Sequence, residues 1–273
     1  MTDWLSALLL GVIEGITEFL PISSTGHLLI AQEWLGRRSD LFNVAIQAGA
    51  IAAVCLVYRL RLIELAGGWR DPVHRSYSLQ IVGAFLITAV LGLSAKLLGA
   101  ELPETVTPIA LALIIGGLVI FAVEAWAKRQ PSRDTVTWTV MVAVGVAQIV
   151  AGIFPGTSRS AAAIFAAMLA GLTFRPKAAE FAFLVGIPTM FAATGYELMK
   201  VMMDADAVAA EPWDQLALAF VVSAVVGFAA VKWLLGFISK HSFVPFGWYR
   251  IALGLVLLAY FGFGDDPAEL PLS

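Results

Sequence analysis

Residues Gly11 to His27, GVIEGITEFLPISSTGH, return 134 positions later as Gly145 to Ala161, GVAQIVAGIFPGTSRSA. Gly11/Gly145, Val12/Val146, Pro21/Pro155 and Ser24/Ser158 are identical, and Glu14 stands opposite Gln148. Each copy is an apolar helical run, a proline, and a hydroxyl-rich turn that opens another apolar helix. Proline cannot continue the helical ladder and Ser/Thr are preferred N-caps, so each copy reads as helix, break, helix. The free N–H groups and positive dipole end at such a break favour anions, phosphate in particular. Glu14 and Glu18 are i,i+4 on one helix face, Ser24 and His27 are i,i+3 in the first turn of the next helix, and Arg159 holds the matching turn of the second copy.

Composition says where such breaks sit. Hydrophobic residues make up 60% and charged residues 14%, against roughly 45–50% and 25% in soluble domains. The expected fold is an all-α polytopic membrane protein, one membrane domain over residues 1–273. Six full transmembrane spans are expected at 41–60, 79–98, 106–127, 178–200, 215–237 and 246–263. The stretches 3–36 and 136–172 are each interrupted by proline and read as re-entrant helical hairpins. Repeat one is expected over 1–128 and repeat two over 136–264, with three spans between the hairpins. An odd number of crossings turns the second copy upside down, giving an inverted-topology repeat whose broken tips meet near the midplane.

Basic loops around Arg59, Arg61, Arg70, His74 and Arg75 and around Lys128, Arg129 and Arg133 are expected to be cytoplasmic. Acidic loops with Glu101 and Glu104, and with Asp204, Asp206, Glu211 and Asp214, then lie outside, as do both termini and the tail acids Asp265, Asp266 and Glu269. No Lys or Arg precedes Arg37, so the spans themselves are expected to drive insertion. The net charge of −3 is uninformative about partners, and Cys55 has no second cysteine to pair with. Trp4, Trp34, Trp69, Trp126, Trp213 and Trp248 read as interfacial anchors. After each hairpin, Phe42 and Gln47 can be laid against Phe181 and Gly186, at the cost of a small insertion.

Ionisable residues within spans are functional by default. The Glu14/Glu18 pair near an anion site suits a divalent cation, or supplies a general base. His27, one turn from Ser24, can activate that hydroxyl or be phosphorylated itself. Arg159 suits bidentate phosphate binding and charge stabilisation in phosphoryl transfer. Ser23, Thr25, Thr157 and Ser160 are caps or ligands. Gln47 and Gln148 hydrogen-bond within the site or glue helices together. Glu180 is a loop charge or a rim residue.

These residues resemble the undecaprenyl-diphosphate phosphatase family of the bacitracin-resistance type. Its marks are E-x-x-x-E leading into P-[IV]-S-S-T-G-H and a later P-G-T-S-R-S, here Glu14 to Glu18, Pro21 to His27 and Pro155 to Ser160. IQAGAIAAV at 46–54 and EFAFLVGIP at 180–188 extend the likeness. The resemblance implies hydrolysis of the lipid diphosphate to the monophosphate at a site open to the periplasm or exterior of the bacterial plasma membrane, recycling the carrier for peptidoglycan synthesis. It also implies a divalent cation, Mg²⁺ or Ca²⁺, on Glu14 and Glu18, and a catalytic set of Glu18, Ser24, His27 and Arg159. Ser23, Thr25, Gly26, Gly156, Thr157, Ser158, Ser160 and Gln148 are the expected substrate-binding positions. The family motif usually continues S-R-S-G-A-T, whereas Ala161, Ala162 and Ala163 follow here, so a hydroxyl is missing at 163.

Expected partners are a polyprenyl diphosphate and the membrane, with a homodimer left open and nucleic acid not expected. The nucleophile is Ser24 or His27, or water activated by a Glu. A transporter or flippase of the carrier lipid is the competing reading, because secondary carriers also use inverted repeats and broken helices. A vanadium-haloperoxidase-like lipid phosphatase is unlike this chain, which has only His27, His74 and His241 where that chemistry needs two histidines at the site.

Overall fold

The computed structural model describes residues 3–98 and 106–261, which are helical, with no strand among them. Glu101, Glu104, Asp265, Asp266, Glu269 and the last residues of the sixth expected span lie outside the described residues. The first half runs α1 (Asp3–Thr17), α2 (Ser24–Leu35), α3 (Asp40–Val57), α4 (Arg59–Gly67), α5 (Pro72–Leu97) and α6 (Val106–Ala127). The second runs α7 (Trp138–Ile153), α8 (Arg159–Leu169), α9 (Arg175–Met202), α10 (Ala205–Ala210), α11 (Trp213–Ile238) and α12 (Val244–Phe261). Both halves thus follow one order: short, short, long, short, long, long.

The six long helices α3, α5, α6, α9, α11 and α12 are apolar enough to cross a bilayer and fall on the six expected spans. On α5 the exposed row Val82, Leu86, Val90 and Leu93 suits lipid and would be a liability in water. This is a multi-pass membrane protein. By contrast α7, the longest of the four helices flanking the prolines, has 16 residues, about 24 Å of rise against a core of roughly 30 Å.

Packing crosses between the halves. α1 lies on α11 and α7 on α5; α3 packs on α11 and α9 on α5; α3 meets α9, and α6 meets α12. Exchanging the halves maps the first four of these contacts onto one another in pairs and the last two onto themselves. The glycines shared by the two copies explain how the helices come so close. A Cβ on Gly11 would sit 2.6 Å from the Ala219 carbonyl oxygen, and one on Gly145 would sit 2.9 Å from that of Ala84. Only a residue without a side chain allows that approach, the device by which membrane helices pack. Hydroxyls reinforce the crossing: Ser223 Oγ donates to Ile46 O at 2.7 Å, and Thr88 Oγ1 lies 3.0 Å from Gly145 O.

The ends of α6 and α9 are tied by a buried ion pair that was not anticipated from the sequence. Glu124, 1% exposed, accepts from Arg175 Nε at 2.8 Å and Nη2 at 2.5 Å, and from the Phe243 N–H at 2.8 Å just before α12. Glu124→Ala strands all three N–H donors. The expected loss is about 3 kcal/mol, the low end for breaking a buried pair, because the Arg175 side chain remains 26% exposed. Unfolding in mixed micelles reads it as a fall in stability.

Candidate active site

The two tips share an unusual backbone. Ser23 (φ 74, ψ 94) and Ser158 (φ 69, ψ 113) are the only non-glycine residues at positive φ among the described residues. Such conformations are disfavoured for side-chain-bearing residues and persist where the surroundings dictate them. Each serine caps the helix it precedes, accepting through Oγ from Gly26 N or Ala161 N at 3.3 Å. Ser158 therefore corresponds to Ser23, one position before the Ser24 that the sequence register pairs with it. The second tip fits an extra residue between proline and cap. There Gly156, at φ 89, turns against α6, where a Cβ would sit 2.7 Å from Ile109 O. From cap serine to the next long helix the halves have equal lengths, so the Phe42/Phe181 register, which needs an insertion, is not the one these elements adopt.

One side chain holds both tips. Arg250 of α12 is fully buried, and its guanidinium donates to five backbone carbonyls. Nη1 reaches Pro21 O at 3.2 Å and Thr157 O at 3.0 Å, one from each tip. Nη2 reaches Gly156 O at 2.9 Å and Ala112 O at 3.0 Å, and Nε reaches Leu113 O at 3.3 Å. Backbone carbonyls buried at a helix break must find partners within the protein, and Arg250 supplies them. The sequence reading passed over it, although a lone arginine inside the apolar run 246–263 was the available signal.

Around the tips lies a cavity of about 20 Å³ lined by Glu18, Gln148, Arg159, Ser160 and Ala163, with Phe19, Ile51, Phe183, Gly186 and Met190 among its apolar walls. Ser24 Oγ donates to Glu18 Oε2 at 2.5 Å, a short charge-assisted bond. Arg159 donates through Nη2 to Gln47 Oε1 at 3.2 Å and through Nη1 to the Met190 sulfur. It is in no ion pair among the described residues. Ser160 Oγ reaches back to Leu20 O at 3.4 Å and to Ser158 Oγ at 3.1 Å, joining the second tip to the first. Glu14 is completely buried one turn before Glu18, and no donor reaches either of its carboxylate oxygens. Its charged neighbours are Glu18 and Arg159.

A family model described as "Bacitracin resistance protein BacA" matches residues 7–256. The chain belongs to the BacA family. A protein of Rhizobium johnstonii named undecaprenyl-diphosphatase is 61% identical over 256 residues, 94% of this chain and 96% of that one. Proteins of the same name from Rhizobium etli (62% over 257 residues, covering 94% and 96%) and Xanthomonas campestris pv. campestris (56% over 260 residues, covering 95% and 98%) are similar to it across the same extent.

In this BacA-family chain, then, Glu14, Glu18, Ser24, Gln148, Ser158, Arg159 and Ser160 are brought together, the acids from the first hairpin and the guanidinium and amide from the second. His27 does not line the cavity. Its Nδ1 lies 2.7 Å from Ser23 O, which can only accept, so Nδ1 carries the hydrogen. Nε2 lies 2.7 Å from Tyr249 OH, the two rings stacked at 5.7 Å. Thr25 is exposed, Gly26 serves the Ser23 cap, and Gly156 and Thr157 give their carbonyls to Arg250. Position 163 does face the cavity, so the alanine there presents a methyl where the motif usually has a hydroxyl. Glu180 stands apart, in contact with Lys177, Arg61 and Tyr77.

Proposed function

We propose that this protein is an undecaprenyl-diphosphatase that hydrolyses the lipid diphosphate to the monophosphate and phosphate. Relatives of that name, similar over nearly the whole chain, support the reaction. The observation that carries the mechanism is the 2.5 Å bond from Ser24 Oγ to Glu18, a nucleophile already joined to its base. Ser24 Oγ attacks the terminal phosphorus as its proton passes to Glu18. The bond to the bridging oxygen breaks and the lipid monophosphate leaves. Water then attacks the phosphoserine, frees phosphate and restores the serine hydroxyl. Arg159, bound to no carboxylate, is the group placed to meet the charge that builds on the transferring oxygens. A cavity of about 20 Å³ holds roughly one water, so entry of the headgroup moves its walls apart.

Glu14 and Glu18 fit a divalent cation, Mg²⁺ or Ca²⁺. Two carboxyl groups face one another in a buried site, Glu14 without a donor, and with phosphate oxygens they form an all-oxygen ligand set. Such a cation would neutralise charge on the diphosphate. The exchange of contacts between halves supports an inverted repeat with the short helices as re-entrant hairpins. Basic loops at Arg59, Arg61, Lys128 and Arg129 support a plasma-membrane orientation with both termini and the site toward the exterior. Alternating access would require the halves to move against each other around the site. Arg250 fastens both tips to one point, which favours hydrolysis over transport.

Purified protein in detergent is expected to release phosphate from C55 diphosphate, Ser24→Ala to lose about 10²–10⁴-fold, and a chelator to suppress the wild-type rate. Full activity of Ser24→Ala removes the serine mechanism. No release by wild type under any cation removes the enzyme.

A further inference from the structure

Of the polar side chains lining the cavity, Gln148 alone has no partner. It is 4% exposed, and neither Nε2 nor Oε1 meets a donor or acceptor. Glu18 has Ser24, Arg159 has Gln47, and Ser160 has Leu20 O. A buried amide with both ends unsatisfied is destabilising, and an apolar side chain of the same shape would relieve it at little cost in packing. Its register is informative as well: Gln148 holds on the second hairpin the place that Glu14 holds on the first. A carboxylate here would confront a phosphoryl group with a third negative side chain. The amide keeps the shape, removes the charge and offers an N–H₂ toward an anion.

We propose that Gln148 is a binding residue for the terminal phosphoryl group, its Nε2 donating to one nonbridging oxygen while Arg159 takes another. This rests on the diphosphatase reading and adds a division of labour. The first hairpin holds charge that attracts a cation, and the second holds only groups that donate to the anion.

The test uses full-length wild type, Gln148→Met and Gln148→Glu in detergent, with steady-state hydrolysis of polyprenyl diphosphate and thermal unfolding with and without inorganic diphosphate. Gln148→Met is expected to raise KM roughly tenfold to hundredfold, the worth of one hydrogen bond to a charged group. Its kcat changes less, its ligand-free unfolding temperature stays level or rises, and its stabilisation by diphosphate shrinks. Gln148→Glu raises KM further, and increasingly as pH rises and the new carboxylate ionises. A lower unfolding temperature for Gln148→Met with a wild-type KM makes Gln148 a structural residue and overturns the proposal. If wild type releases no phosphate yet is stabilised by diphosphate, and Gln148→Met loses that stabilisation, the hydrolytic reading falls and the role of Gln148 stands.

Discussion

Arg250→Met is expected to abolish phosphate release and to destabilise the protein by on the order of 5 kcal/mol. Five carbonyl oxygens lose their donor at once, at about 1 kcal/mol each. Four belong to Pro21, Thr157, Gly156 and Ala112, so the loss falls on the tips and on the α6 turn beside them. Without the guanidinium, the long bond from Ser160 Oγ to Leu20 O at 3.4 Å is left to hold the Ser24–Glu18 pair on one tip against Arg159 on the other. Arg250→Lys keeps the charge but offers three donors on a flexible stem instead of a planar fork. It should fold with greatly reduced turnover. Equilibrium unfolding in mixed micelles together with phosphate release checks both variants, and a folded Arg250→Met enzyme with wild-type kcat would show that the tips are held by other means.

Arg159→Met should behave in the opposite way, losing about 10³–10⁵-fold in kcat while keeping or gaining stability. Arg159 hydrogen-bonds to an amide oxygen and a thioether and is in ion-pair contact with no carboxylate among the described residues, Glu14 being a charged neighbour, so a methionine beside Met190 replaces an incompletely compensated charge with apolar packing. Lysine should rescue little, since a flexible point charge lacks the planar, pre-organised fork of the guanidinium. Comparable losses of activity and folding in Arg159→Met would place the residue in the scaffold.

The spans were legible because lipid imposes composition over about 20 residues, and 106–127 coincides with α6 at both ends. The tips were legible as breaks, because proline and the cap serines act locally, but the positive φ of Ser23 and Ser158 was not. That strain is set by Arg250, α6 and the opposite tip, all remote in sequence. The register error has the same origin. Identity of letters favours Ser24/Ser158, whereas capping geometry pairs Ser23 with Ser158. His27 was legible as a side chain one turn from Ser24, and only the position of Tyr249, 222 residues away, shows where its ring is engaged. Arg250 left the faintest trace, since its partners are backbone carbonyls, which every residue has.

The crossed packing of α1 on α11 and α7 on α5 means that the first helix of each hairpin is seated against the other half of the polypeptide. During synthesis the face of α1 that carries Gly11 and Gly15 must therefore wait for its partner until α11, near the end of the chain, arrives. Glu18 is among the first residues made, yet most of the walls of its cavity, Gln148, Arg159 and Met190 among them, come from the second half of the chain.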